Sequence, residues 1–246
     1  MIRPPASVLV AGAGRGIGAG IAVALGRAGS SRVALLGRTT AELERVAADV
    51  EATGAAALVL TCDLTNAEDR ARAVERAGPL DAVVYSAGTN TPGPFLDVSE
   101  ELFDGIFELN VRAGFFLVQE VVRGMRERGT AGTIVFVSSQ MGHVGAAQRT
   151  VYCASKHAVE GLVKALAVEL APAGIRAVSV APTFVRTALT EAQLDDPEIS
   201  RALLAQLPTG RFATVDEVAD AVVWAASSGA MVTGSSILVD GGWTAQ

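Results

Sequence analysis

At 246 residues, half of them hydrophobic and 19% charged, the chain has enough apolar material to bury a sheet on both faces, and its composition excludes a disordered polypeptide. A formal net charge of −6 excludes a general electrostatic attraction to nucleic acid or to an anionic membrane surface. One basic residue precedes the first apolar run, Val8 to Ala11, which is too short for a secretory leader or a membrane span, so the expectation is a cytoplasmic protein with no nucleic-acid or membrane partner.

From the N-terminus onward, short apolar runs bounded by turn residues recur around Val8 to Val10, Val33 to Leu36, Ala57 to Leu60, Ala82 to Val84, Ile134 to Val137, Val178 to Val180 and Ile237 to Val239. Most have consecutive rather than alternating apolar residues, the pattern of strands buried on both faces of a parallel sheet. Helical spacing fills the intervals, as in Ala41, Leu43, Val46, Ala47 and Val50 or in Val159, Leu162, Val163, Leu166 and Leu170. This alternation predicts one α/β domain over residues 1–246, a doubly wound fold with a ligand crevice at the carboxyl ends of its strands. Long helical segments are expected from Ser99 to Arg128 and from Tyr152 to Ala171, and the irregular stretch Thr183 to Arg211 predicts a loop or helical flap.

The first strand runs into Gly12-Ala13-Gly14-Arg15-Gly16-Ile17-Gly18 and then into an apolar helix. Glycines at a strand-to-helix turn let backbone approach a pyrophosphate, which the free N–H groups of the helix start then bind. Alone such a run is weak evidence, equally consistent with a simple turn; after the first strand of an α/β chain it points to a dinucleotide. The second strand ends in Gly37-Arg38, with Arg15 nearby and no carboxylate to meet an adenosine ribose. Two guanidinium groups there favour NADP(H) over NAD(H), unless both are simply solvated surface cations. Cys62, Cys153, His143 and His157 lack metal-ligand spacing, so no metal site is expected.

Tyr152 and Lys156 lie four residues apart in a segment with helical periodicity, on one helix face. A tyrosine of ordinary pKa is a poor base near neutrality, and a cation held beside it favours the phenolate. Ser139 closes the fifth apolar run, where a doubly wound sheet presents side chains to its crevice.

The Gly12-xxx-Gly16-x-Gly18 spacing, Asn110 within Leu109-Asn110-Val111, the interval from Ser139 to Tyr152, and Tyr152-xxx-Lys156 together resemble the short-chain dehydrogenase/reductase family from Val8 to Gly242. The resemblance implies a Rossmann-like seven-stranded parallel sheet and hydride transfer between NADP(H), or NAD(H), and a carbonyl or secondary alcohol. By it, Asn110, Ser139, Tyr152 and Lys156 are the catalytic set. Tyr152 moves the proton, Ser139 orients the reacting oxygen, Lys156 lowers the tyrosine pKa and holds the nicotinamide ribose, and Asn110 anchors a proton-supplying water chain. Cofactor contacts are implied at Gly12, Gly14, Arg15, Gly16, Ile17, Gly18, Arg38, Cys62, Asp63, Leu64, Ala87, Gly88, Tyr152, Lys156, Pro182, Thr183, Val185 and Thr187. The long helices imply a homotetramer. The chain departs from the family with Ala11 for Thr, Thr183 for Gly, Tyr85-Ser86 for Asn-Asn, and a helix after Asp63 about one turn short.

The substrate pocket is expected among Thr89, Asn90, Ser139, Gln140, Met141, His143, Gln148 and Leu189, whose amides and hydroxyls suit a small polyol, sugar or sugar acid. The Ala87-Gly88-Thr89-Asn90 run resembles polyol and gluconate-type members. Two alternatives stand beside this reading. One is a 3-oxoacyl reductase, with Arg123, Arg126 and Arg128 docking an acidic carrier unless they are only a solvated helix face; the other is a dinucleotide-binding sensor without chemistry.

Overall fold

The computed structural model describes residues 3–188, 190–227 and 229–246, with backbone alone at residues 192 and 193. Seven parallel strands, β1 (Ser7–Ala11), β2 (Arg32–Gly37), β3 (Ala56–Thr61), β4 (Ala82–Tyr85), β5 (Gly132–Val137), β6 (Ile175–Pro182) and β7 (Ser236–Val239), form one sheet in the order β3-β2-β1-β4-β5-β6-β7. Each coincides with an apolar run in the sequence, and neighbours pair in register, as in Val8↔Val33 and Leu9↔Val83.

The consecutive apolar residues divide between two faces because strand side chains alternate. Leu9, Leu36 and Phe136 join one buried cluster, with residues of α3 (Ala67–Ala77), α5 (Ala113–Glu127) and α6 (Thr150–Leu170). Val8, Leu35 and Val135 join the other, with α1 (Gly16–Ala28), α2 (Thr40–Glu51) and α9 (Val215–Ser227). Winding reverses at β1, which pairs with β2 on one side and β4 on the other, so a crevice opens at the carboxyl ends of β1 and β4.

The segment read as one helix from Ser99 to Arg128 is interrupted. After α4 (Glu100–Phe107), capped by the Ser99 hydroxyl, residues Glu108–Arg112 form a π-turn before α5 begins. The Tyr85 hydroxyl donates to the Leu109 carbonyl, and Asn110 Nδ2 donates to the Thr89 carbonyl at 3.0 Å. Both contacts grip the widened turn, the kind of insertion that produces π-bulges at functional sites. Beyond β6 the irregular stretch folds into α7 (Glu191–Leu194) and α8 (Pro197–Leu204), the latter capped by Asp196, while Val185 bridges to Ala213.

The turn from β1 to α1 is tight enough to require glycine. Gly12 has φ +81°, and a Cβ on Gly18 would lie 2.1 Å from the Gly12 carbonyl oxygen. Gly18→Ala is therefore expected to lower the unfolding free energy by about 1–3 kcal/mol through overpacking. Chemical denaturation of the protein without added nucleotide measures this, and an unchanged midpoint would show that the loop yields without cost.

Candidate active site

Helix α6 starts at the carboxyl end of the sheet and carries the central side chains. Lys156, 5% exposed, donates from Nζ to the Val137 carbonyl at the end of β5, at 3.0 Å, and lies 5.6 Å from the Tyr152 ring centroid. Burial pushes its pKa down to about 8, against the pull of the Glu160 carboxylate one turn along. Tyr152 is pushed up by burial, while a hydrogen bond with Ser139 and the Arg149 guanidinium act the other way. Ser139 follows β5 directly, and its hydroxyl accepts the Met141 N–H at 3.1 Å to cap a short turn over Gln140–Gly142.

Asn110 is held by three hydrogen bonds within the protein. Its Oδ1 accepts the Thr89 N–H at 2.8 Å, and Nδ2 donates to the Thr89 carbonyl and to Ser155 Oγ, each at 3.0 Å. Ser155 Oγ in turn donates to the Tyr152 carbonyl at 2.8 Å. This chain ties the loop after β4 to the first turn of α6. In that loop a Cβ on Gly88 would meet Asn110 Oδ1 at 3.2 Å and Lys156 Nζ at 3.7 Å, so Gly88 lets the backbone lie beside the ammonium.

A cavity of about 300 Å³ opens over these groups, lined by Asn90, Pro92, Ser139, Gln140, Met141, Arg149, Tyr152, Thr183, Phe184 and Thr190. Both side-chain polar atoms of Gln140, Thr183 Oγ1 and Asn90 Oδ1 are buried without a hydrogen-bond partner among the described residues. Buried polar groups are normally satisfied, so their convergence marks a place for a polar ligand.

The structure corrects two of the expected pocket residues. His143 turns out of the cavity, its Nε2 2.9 Å from Ser236 Oγ and 3.4 Å from the buried Glu160 carboxylate. Gln148 is exposed with φ 59°, and its carbonyl accepts the Gly93 N–H at 3.0 Å. Leu189 lies outside the described residues. The wall instead includes Arg149, which precedes Tyr152 by three residues and Lys156 by seven. That i, i+3, i+7 spacing is the signal by which the sequence could have shown it.

At the other end of the crevice the glycine loop presents an uncapped helix. Arg15 at the N-cap of α1 makes no side-chain cap, and the first turn holds no acid. A Cβ on Gly16, whose φ is +56°, would lie 3.4 Å from Thr187 Cγ2, so the segment after β6 leans over the loop. Arg15 and Arg38 are both exposed, and Arg38 adds to the Thr65 hydrogen bonds that hold the Asp63 carboxyl low. The Cys62 thiol, pushed up to about 11 by burial and by the Asp69 and Asp63 charges, and the buried Leu64 leave only backbone for any ligand contact. Val185 is also buried, its carbonyl taken by the Thr190 hydroxyl, and Pro182 closes β6. A glycine cradle that any Cβ would fill, an uncapped helix N-terminus and unpartnered Thr183 Oγ1 farther along together fit a dinucleotide. Among the described residues no cluster of His, Cys, Asp or Glu is placed to hold a metal, and no helix is long and apolar enough to cross a membrane.

Residues 12–244 match the family model described as Enoyl-(Acyl carrier protein) reductase. The L-xylulose reductase of Bos taurus is 40% identical over 238 residues, covering 96% of each chain. The D-erythrulose reductase of Gallus gallus is 41% identical over 236 residues, 96% of this chain and 94% of its own. Among solved structures, a gluconate 5-dehydrogenase from Burkholderia cenocepacia J2315 in complex with NADP and tartrate superposes with a TM-score of 0.94 at 29% identity, covering 100% of this chain and 98% of its own.

The buried ammonium has a consequence for stability. The folded protein releases the Lys156 proton near pH 8, whereas the unfolded chain holds it to about 10.5, so between these limits the unfolded state binds more protons and stability rises with pH. The penalty is fully present below the lower limit and fades above it. Lys156→Met should lack this rise, so denaturation between about pH 7 and pH 10 should find the original protein gaining on the variant; parallel curves would place the charge in solvent.

Proposed function

Because the chain belongs to the short-chain dehydrogenase/reductase family, we propose that Ser139, Tyr152 and Lys156 are its catalytic residues, with Asn110 a positioning residue, in one domain that interconverts a small polyhydroxylated alcohol and its ketone with NADP(H). The protein is an NAD(P)-dependent oxidoreductase. The observation that carries the finer reading is the junction of Tyr152 and Ser139 with a cavity whose other buried polar groups, Gln140 and Thr183 foremost, await hydroxyl partners. The names of the relatives, reductases of L-xylulose and D-erythrulose and a gluconate 5-dehydrogenase, agree with it.

The glycine loop and the uncapped start of α1 would hold the dinucleotide, which would supply or accept the hydride at the substrate carbon. Ser139 Oγ holds the substrate oxygen within reach of Tyr152 Oη. During reduction Tyr152 Oη passes its proton to that oxygen, and during oxidation it takes the proton back. A phenolate on Tyr152 then lies near the cations of Lys156 and Arg149, which offset the cost of forming it in a buried place. Asn110 acts through position, since both Nδ2 protons are committed to Thr89 and Ser155. A water chain therefore has no donor to take from its amide.

Exposed Arg15 at the start of α1 and exposed Arg38 just after β2 support NADP(H) over NAD(H), with the Asp63 carboxylate near Arg38 and the Glu42 carboxylate near Gly14 acting against a 2′-phosphate. Exposed Phe103, Phe115 and Val168 on α4, α5 and α6 support a homotetramer built through those helices. The acyl-carrier reading loses ground on geometry. Arg128 donates to the Leu80 carbonyl at the amino end of β4, so the Arg123, Arg126 and Arg128 surface lies at the opposite end of the sheet from the cavity.

A panel of ketoses, polyols and acyl thioesters assayed with NADPH, NADH and their oxidised forms tests this function; turnover of thioesters alone would overturn it. Tyr152→Phe should cut turnover about 10²–10⁴-fold while NADPH still binds, as read by nucleotide fluorescence. Arg38→Ser should weaken NADPH about 10–100-fold and leave NADH unaffected; equal losses for both nucleotides would remove Arg38 from phosphate recognition.

A further inference from the structure

Besides Tyr152, Phe184 is the aromatic ring among the described residues of the cavity wall. Its backbone is held on both sides: the Thr183 N–H donates to the Val239 carbonyl at 3.0 Å, and the Phe184 carbonyl accepts the Ala213 N–H at 3.1 Å. Its side chain rests on Trp243, with ring centroids 5.8 Å apart and planes at 48°, within the range that aromatic pairs favour. Trp243 is placed by the turn that follows β7. The buried Asp240 carboxylate accepts the Gly242 and Thr244 N–H groups at 3.0 and 2.9 Å and the Thr244 hydroxyl at 2.6 Å. Gly241 and Gly242 have φ +61° and +86°, and a Cβ on them would meet Thr209 Oγ1 at 2.5 Å and Pro208 Cγ at 3.2 Å respectively, so the turn runs close against the chain beyond α8. The Thr209 N–H reaches the Gly241 carbonyl at 3.3 Å, and Gln246 Nε2 donates to the Gln206 carbonyl at 2.9 Å.

On the alcohol–ketone reading given above, we propose that Trp243 is a positioning residue for substrate selection: it backs the Phe184 ring and so fixes how far the cavity extends beyond Tyr152 and Ser139. The described wall includes Phe184 and not Trp243, so the indole acts through its neighbour. The Phe184 main chain is hydrogen-bonded on both sides, which leaves rotation of its side chain as the motion that the indole restrains. A space behind the ring lets it retract, since the neighbours of a truncated side chain relax part of the way into the void. The wall thereby discriminates against longer polyol chains, whose extra carbons need the volume that Phe184 occupies.

The test varies chain length at constant chemistry: erythritol and D-glucitol are oxidised with NADP+, and the ketoses of the same lengths are reduced with NADPH. Trp243→Ala should shift the kcat/KM ratio toward the six-carbon member by about 10-fold or more, chiefly through KM, with nucleotide affinity retained. Trp243→Phe should keep the original ratio. Phe184→Ala should produce the same shift as Trp243→Ala, and combining the two should move the ratio no further, because the rings act as one unit. If Trp243 served only to hold the turn after β7, Trp243→Ala would depress both chain lengths equally and lower the thermal midpoint; that result overturns the proposal, as do additive shifts in the double variant. Phe184→Ala leaves the turn after β7 unaltered, so an unchanged ratio there overturns the proposal even where the Trp243 variants fail to fold. Turnover of none of these compounds by the original enzyme would instead overturn the alcohol–ketone reading, and the proposal with it.

Discussion

The site depends on one buried ammonium group. Lys156 reaches the carbonyl that ends β5 because α6 begins above the carboxyl edge of the sheet, and a charge so placed must be compensated or lost. Compensation extends along the same helix face. Glu160 lies one turn beyond, accepting hydrogen bonds from Ser179 on β6 at 2.8 Å and from Ser236 on β7 at 3.3 Å. The column Tyr152, Lys156, Glu160 thereby links the Tyr152 phenol to three adjacent strands, β5, β6 and β7, and its position inherits the rigidity of the sheet. His143 belongs to this bracing, since its ring closes on Ser236 and Glu160 rather than on the cavity.

Around that column the working parts are departures from regular structure. Gly12 and Gly16 take left-handed backbone so that the turn out of β1 can expose its N–H groups. The π-turn at Glu108–Arg112 brings Asn110 against Thr89 and Ser155, which an unbroken helix from α4 into α5 would not do. Local rules yield here, and the surrounding sheet holds the exceptions in place.

The cavity adds chemistry of a different kind. Its amides and hydroxyls could serve any sugar, and similar proteins bear the names of reductases for neutral ketoses as well as of a gluconate dehydrogenase.

Local pattern was enough to read the fold. Each apolar run became a strand, since burial on both faces requires consecutive apolar residues, and the glycine spacing after β1 and the Tyr152–Lys156 interval were visible because turns and helices are short-range objects. The extent of a helix was less legible: the break at Glu108–Arg112 depends on Tyr85 and Thr89, residues about 20 positions away. The substrate wall was least legible of all. Whether Gln148 or Arg149 faces the cavity is decided by a left-handed backbone at Gln148, and whether His143 does is decided by a carboxylate on α6 and a serine on β7. Sequence by itself determined the order of strands and helices and the residue types available for chemistry, because those follow from periodicity. Tertiary structure alone decided which polar groups meet and which stay unsatisfied, because that depends on contacts between segments far apart in the chain.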